Sequence, residues 1–228
     1  MTDIKPIETE YAGYKFRSRL EARWAVFFDA CGVDWEYEPQ GYTLQDGTKY
    51  LPDFLLHGVE MGLSYGKKNE RAKDLYIEVK GRITDVARKK IYLFSGLYDY
   101  YANRGADDDY DPDKVIACIQ RPTVAFGRIP DCDSFVSFVK SVQDMHAKSG
   151  NYLFTPEYVN GESYFGCLSF IPYINTRGRL ALADDCPYGK EDEYTIYDAD
   201  ILSTLAAYKQ AKQARFEWGE TPRRCTVK

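Results

Sequence analysis

Histidine is scarce in this sequence. It has two, His57 and His146, far apart along the chain, which argues against H-E-x-x-H metalloproteases and HNH-type nucleases. Six cysteines (Cys31, Cys118, Cys132, Cys167, Cys186 and Cys225) are scattered without a C-x-x-C pair. That spacing suits neither a disulfide framework nor a zinc knuckle, and it fits free thiols in a reducing cytosol. A cytoplasmic location is therefore expected. Long apolar runs are missing as well. No stretch approaches the roughly 18–20 residues of a membrane helix, and the opening MTDIKPIETEYAGYKF lacks the apolar core of a signal peptide. Positive charge is not in excess: the net charge is −5. Any contact with nucleic-acid phosphates would have to come from local basic patches. Nothing in the sequence calls for an organic cofactor or a membrane partner.

What is present describes a globular chain. Its 228 residues, 44% hydrophobic and 29% charged, are enough for one domain of fair size or a core with an appendage. Tyrosine is abundant, with 20 copies, and suits half-buried strands and binding surfaces. Residues 17–31 read as a helix, with Leu20, Trp24, Phe27, Phe28 and Cys31 on one apolar stripe and Gly32 as its stop. Residues 34–38 read as a strand closed by Pro39. A hairpin is expected next, 42–44 and 50–56 around Asp46-Gly47. Residues 58–74 read as a long loop or hairpin tip, and 75–81 as a strand.

Thr84 or Asp85 is expected to cap a second helix reaching about Ala102, with Val86, Leu93, Leu97 and Tyr101 inward. The apolar run 114–119 predicts a buried strand, parallel to 75–81 across that helix. Residues 133–147 read as a third helix. Short antiparallel strands are expected over 151–182, with turns at Asn160-Gly161 and from Asn175 to Gly178, and a final helix over 198–218. The expected fold class is α/β, with an α+β mixed sheet. Residues 10–148 would form an αβββαβ core and 149–228 a small α+β C-terminal module.

Two carboxylates fall where carboxylates are expensive. Asp53 follows Pro52 within an apolar strand, and Glu78 lies among Ile77 and Val79; each needs a charged partner or a metal. Lys80 is two residues beyond Glu78 and projects from the same strand face. If the strands are neighbours, the three side chains converge. Phosphodiester hydrolysis uses such a set. Hard oxygen ligands hold Mg²⁺ or Mn²⁺, which polarises the phosphate and acidifies a bound water, while a lysine steadies developing charge. The Val79 carbonyl is a natural further ligand.

Pro52-Asp53 followed by Glu78-Val79-Lys80, with the leading RSRLEARWAVFF helix and WEYEP strand, resembles the PD-(D/E)XK nuclease superfamily. The likeness runs from residue 14 to about 120 and is similar to resolvase-like and transposon-end-cutting branches. It implies a restriction-endonuclease-like core and a divalent-metal-dependent endonuclease cleaving DNA, of phage or bacterial origin, alone or with a homodimer mate or partner subunit. It further implies Asp53 and Glu78 as metal ligands, Lys80 as the catalytic lysine and Glu21 as a helix-borne acid near the metal. Glu21 has a second reading, because Ser18-x-x-Glu21 is a capping box. Arg82, Arg88, Lys89, Lys67 and Lys68 are the basic residues available to DNA; a solvated face is the default reading of such patches, and Arg88 and Lys89 read equally well as a phosphate clamp. An alternative is an inactive protein of the same fold that binds nucleic acid or a protein partner.

Overall fold

The computed structural model describes residues 7–62, 70–71, 74–96, 120–133, 135–136, 170–184, 199–216 and 220–222. It begins with a hairpin that the sequence does not announce, β1 (Thr9–Tyr11) and β2 (Tyr14–Phe16). Helix α1 (Arg19–Ala30) follows. Ser18 caps it, its Oγ accepting the Glu21 N–H at 3.2 Å, which satisfies one of the orphan donors of the first turn. Of the expected stripe, Trp24, Phe27, Phe28 and Cys31 are buried and Leu20 is half-buried. Gly32, at φ 63°, closes the helix in the left-handed conformation glycine adopts without strain.

Strand β3 (Asp34–Tyr37) leads to a small hairpin, β4 (Tyr42–Thr43) with β5 (Lys49–Tyr50), and then to β6 (Phe54–His57). Here the expected hairpin of 42–44 with 50–56 divides. Only its first part pairs locally around Asp46-Gly47, whereas β6 joins the central sheet. Pro52 explains the break, since it has no N–H for a ladder. Asp53 therefore lies one residue before β6 and not inside a strand.

The 58–74 segment carries a further antiparallel pair, β7 (Glu60–Gly62) and β8 (Glu70–Arg71), before β9 (Asp74–Val79). Helix α2 (Asp85–Ser95) is capped by Thr84 and ends at Gly96, with φ 89°, short of the expected Ala102. Its buried residues, Tyr92 to Ser95, lie in the last turn, so Val86 in the first turn is 69% exposed rather than core. Leu97 and Tyr101 lie outside the described residues.

The strand parallel to β9 is β10 (Thr123–Phe126), not 114–119, which lies outside the described residues. The TVAF run at 123–126 fills the place beside β9. The main sheet runs β10-β9-β6-β3, with one parallel and two antiparallel pairs.

A second sheet runs β11-β12-β7-β8, where β11 (Phe170–Ile174) and β12 (Leu180–Asp184) form the expected hairpin around the 175–178 turn. Helix α3 (Ile201–Gln213) is shorter than the expected 198–218. The expected turn at Asn160-Gly161 lies outside the described residues, as does most of the expected 133–147 helix. The chain is thus a mixed α+β protein with mixed sheets. None of the helices in the described residues is long and apolar enough to cross a membrane.

One apolar core joins the parts. Trp24 stacks on Phe126 at 4.5 Å between centroids, and Phe28 meets Phe54 edge-on at 5.3 Å. On the other side of α1, Phe27 stacks on Tyr208 of α3 at 4.7 Å. The cluster extends from Tyr11 to Ala214, so the C-terminal segment packs into the same core as the N-terminal half. Emptying the Trp24 site with alanine is expected to cost about 3–5 kcal/mol.

Candidate active site

Strand register places the acids. Phe54 pairs with Ile77 and with Tyr37. One further step sets Asp53 between Glu78 and Glu38, and the Glu38 N–H donates to the Asp53 carbonyl at 2.9 Å. Ala125 sits opposite Glu78 on the far side. Glu38, Asp53 and Glu78 thus form one cross-strand row on one face of the sheet, since residues in register share a face. The next row, Tyr37, Phe54, Ile77 and Val124, contributes Phe54, Ile77 and Val124 to the buried core.

Asp53 is 0% exposed. Its Oδ2 accepts the Val79 N–H at 2.7 Å and the Lys80 ammonium at 3.2 Å. Its Oδ1 accepts a hydrogen bond from Arg17 Nη2. The same register carried one residue further would set Pro52 opposite Val79, so the Asp53 side chain takes the Val79 amide where the regular ladder stops. Proline likewise has no amide hydrogen for the Val79 carbonyl.

Glu78 is also buried; its Oε1 lies 2.8 Å from Lys80 Nζ and its Oε2 accepts the Tyr50 hydroxyl at 2.9 Å. The result is two buried carboxylates sharing one ammonium. Arg17 and Lys80, with side chains 52% and 35% exposed, reach the acids from the solvent side.

The electrostatics follow from this crowding. Burial raises the Glu78 carboxyl above its usual range, and the Asp53 charge adds to it; Lys80 and Tyr50 pull the other way without prevailing. Burial alone would lower Lys80, but the Asp53 and Glu78 charges and hydrogen bonds outweigh it, so its affinity for the proton rises. Lys80 is therefore an ammonium here, a donor and not a base. Burial, followed by the Glu78 charge, also holds the Tyr50 proton in place.

Glu21 is committed to the start of α1. It accepts the Arg17 backbone N–H at 3.1 Å, the Ser18 hydroxyl at 2.8 Å and the Tyr37 hydroxyl at 2.7 Å. This is a shifted capping box, with Arg17 supplying the amide in place of Ser18. Burial and then the bond to Glu21 raise the Tyr37 hydroxyl pKa.

The basic residues are spread out. Arg82 is exposed just beyond Lys80. Lys89 pairs with Asp46 at 2.9 Å, and Arg88 with Asp85 at 3.4 Å. Lys67 and Lys68 lie outside the described residues. Gln120, at the end of the expected 114–119 strand, is exposed.

Three participants escape a motif reading: Arg17, Glu38 and Tyr50. Glu38 is found only once its register with Asp53 is known. Arg17 is two residues before α1, and its guanidinium joins Asp53 to Glu38. Tyr50 closes the β4–β5 hairpin, which brings its hydroxyl over Glu78.

The donor set suits a small hard cation. Asp53, Glu78 and the Val79 carbonyl offer oxygen only. Mg²⁺ keeps several waters and is commonly held by one or two carboxylates. Among the described residues, no group of three histidine, cysteine or acidic side chains is arranged as a ready ligand set, so any cation would rest on this pair, backbone and water. Comparison with known proteins gives no match: no family model fits the chain, and neither a characterised protein nor a solved structure is significantly similar to it.

Proposed function

We propose that the protein is a divalent-metal-dependent nuclease that hydrolyses DNA phosphodiester bonds, an endonuclease on a restriction-endonuclease-like core. The observation that carries this reading is the pair of buried carboxylates, Asp53 and Glu78, sharing the Lys80 ammonium at one end of the sheet. Burial raises the Glu78 carboxyl, and repulsion by the neighbouring Asp53 charge raises it further. A divalent cation would relieve that repulsion.

Asp53, Glu78 and the Val79 carbonyl would hold Mg²⁺ or Mn²⁺. Bound there, the ion would supply polarisation of the phosphate and acidification of the attacking water. The protein does the positioning. The Val79 amide fixes one oxygen of Asp53, and the Tyr50 hydroxyl fixes one oxygen of Glu78. Lys80, a donor with an exposed flank, offers its N–H groups to charge developing on the phosphate. Arg82 lies two residues further along the chain and is exposed, open to a neighbouring phosphate.

The test is cleavage of linear, circular, branched and single-stranded DNA with Mg²⁺ or Mn²⁺, beside a Lys80→Ala variant checked for folding by circular dichroism. Metal-dependent cleavage should be lost in the variant. Full activity in folded Lys80→Ala would sink the assignment.

A second reading has its own support. Lys80 and Arg17 already supply positive charge to the site acids, as expected of a nuclease-fold protein that binds nucleic acid or a partner without cutting. Titration with Mn²⁺ separates the two, since a non-catalytic protein of this kind needs no Mn²⁺ site dependent on Asp53.

A further inference from the structure

Arg17 holds two carboxylates at once. Its Nε lies 2.8 Å from Glu38 Oε1 while its Nη2 bonds Asp53 Oδ1. The two oxygens of Asp53 are thus divided: Oδ2 faces the Val79 amide and Lys80, and Oδ1 faces Arg17. A cation bound through Oδ1 would meet the guanidinium at contact distance, and like charges there oppose each other strongly in a partly buried site.

Glu38 gives Arg17 an alternative. It adjoins Asp53 in the cross-strand row, tied by its own N–H to the Asp53 carbonyl at 2.9 Å. It also has φ 48°, a left-handed backbone uncommon for a residue with a side chain and directly before Pro39. Such conformations cost energy and cluster at functional sites. Here the unusual backbone goes with a carboxylate at the end of the row, 2.8 Å from Arg17 Nε.

We infer that Arg17 and a divalent cation compete for Asp53 Oδ1, and that Glu38 takes over the guanidinium when the cation enters. Arg17 and Glu38 are then positioning residues that set metal affinity. The inference rests on the metal-nuclease reading above. It predicts an interaction between the two residues that simple addition of charges does not: Glu38 assists the cation only by accepting Arg17.

Calorimetric titration of the full chain with Mn²⁺ tests this, with Asp53→Asn as the control that removes binding. Arg17→Gln should tighten Mn²⁺ binding by about tenfold, and Glu38→Gln should weaken it by about tenfold. In the Arg17→Gln background, Glu38→Gln should change affinity by less than about twofold, a marked departure from additivity.

Equal Glu38→Gln effects in both backgrounds overturn the inference, as does Arg17→Gln binding no tighter than the unaltered chain. If Arg17→Gln fails to fold, Arg17→Lys decides. Losing the two-pronged guanidinium contact while keeping the charge should tighten Mn²⁺ by a few-fold, and no tightening overturns the inference. Absence of Asp53-dependent Mn²⁺ binding in the unaltered chain removes the metal reading and this inference together. Such binding with additive effects removes the inference alone.

Discussion

Asp53 and Glu60 are both buried carboxylates, and each is held by two cationic side chains. Their surroundings differ. Glu60 accepts from Asn175 Nδ2 at 2.9 Å, from Arg179 at 3.1 Å and from Arg177. All three donors come from the turn between β11 and β12. Asn175 Oδ1 in turn accepts the backbone N–H groups of Arg177 and Arg179, both at 3.0 Å. One acid therefore staples one turn onto β7. At Asp53 the donors come from two distant places in the chain, Arg17 and the Val79-Lys80 pair, and Lys80 is shared with a second buried acid. A buried charge with good partners is ordinary architecture. An acid that must share its cation with another acid is the more informative sign of chemistry.

The contrast can be broken by substitution. The largest expected effect is on cleavage: Asp53→Asn should reduce the metal-dependent rate by at least about 10³-fold, about 4 kcal/mol of barrier, whereas Glu60→Gln should stay within about twofold of the unaltered rate. Comparable losses in the two variants would erase the distinction.

Urea unfolding should reverse the ranking. Glu60→Gln is expected to lower stability by about 2 kcal/mol, a figure reduced because Arg177 and Arg179 are half exposed and can turn to water. Asp53→Asn should cost about 1 kcal/mol, since the amide oxygen still accepts the Val79 N–H and Lys80 keeps Glu78.

A smaller effect should appear in the pH dependence. Glu78 binds its proton more tightly folded than unfolded. Its contribution is therefore fully present below the ordinary 4.5 and is lost as pH rises through the raised folded value. The stability of the unaltered chain relative to Glu78→Gln should fall across that window; a flat difference would mean that neither burial nor the Asp53 charge weighs on Glu78.

The smallest effect belongs to an acid–base cluster at the surface. His57 Nδ1 lies 2.7 Å from Asp74 and Nε2 3.1 Å from Glu36. The hydrogen bond to Asp74 raises its pKa, burial opposes this slightly, and Glu36 adds to the rise. The stabilisation is present below the ordinary 6.5 and is lost as pH rises through the raised value. His57→Gln should reveal about 0.5 kcal/mol or less, as expected of an exposed pair. A larger value would show that burial is not what separates these clusters.

How much of this was legible in the sequence depends on the distance over which each feature is determined. The stripe of α1, its Gly32 stop, the 75–81 strand and the meeting of Glu78 with Lys80 follow from local period and could be read. So could the turn from Asn175 to Gly178. The partner of β9 could not, because TVAF at 123–126 is less apolar than KVIACI at 114–119 and pairing is decided across the sheet. Arg17 and Glu38 were invisible for the same reason. Their roles require the register of three strands and a left-handed residue before a proline. Glu21 was readable in two ways; it bonds the cap residues Arg17 and Ser18 and also the Tyr37 hydroxyl.

The parallel pairing of β12 with β7 has a consequence for biosynthesis. The main sheet, and with it Asp53, Glu78 and Lys80, is complete once Phe126 has emerged from the ribosome. The β7 edge must wait for Leu180 to Asp184, and the Phe27 face of α1 for Tyr208. A chain cut before Leu180 would lack the strand that pairs with β7 and the Tyr208 ring that stacks on Phe27, and strand edges and apolar faces left without such partners are surfaces through which partly made proteins aggregate. The C-terminal third thus completes the core begun by the front half, and chains released before Leu180 should need a chaperone to stay in solution.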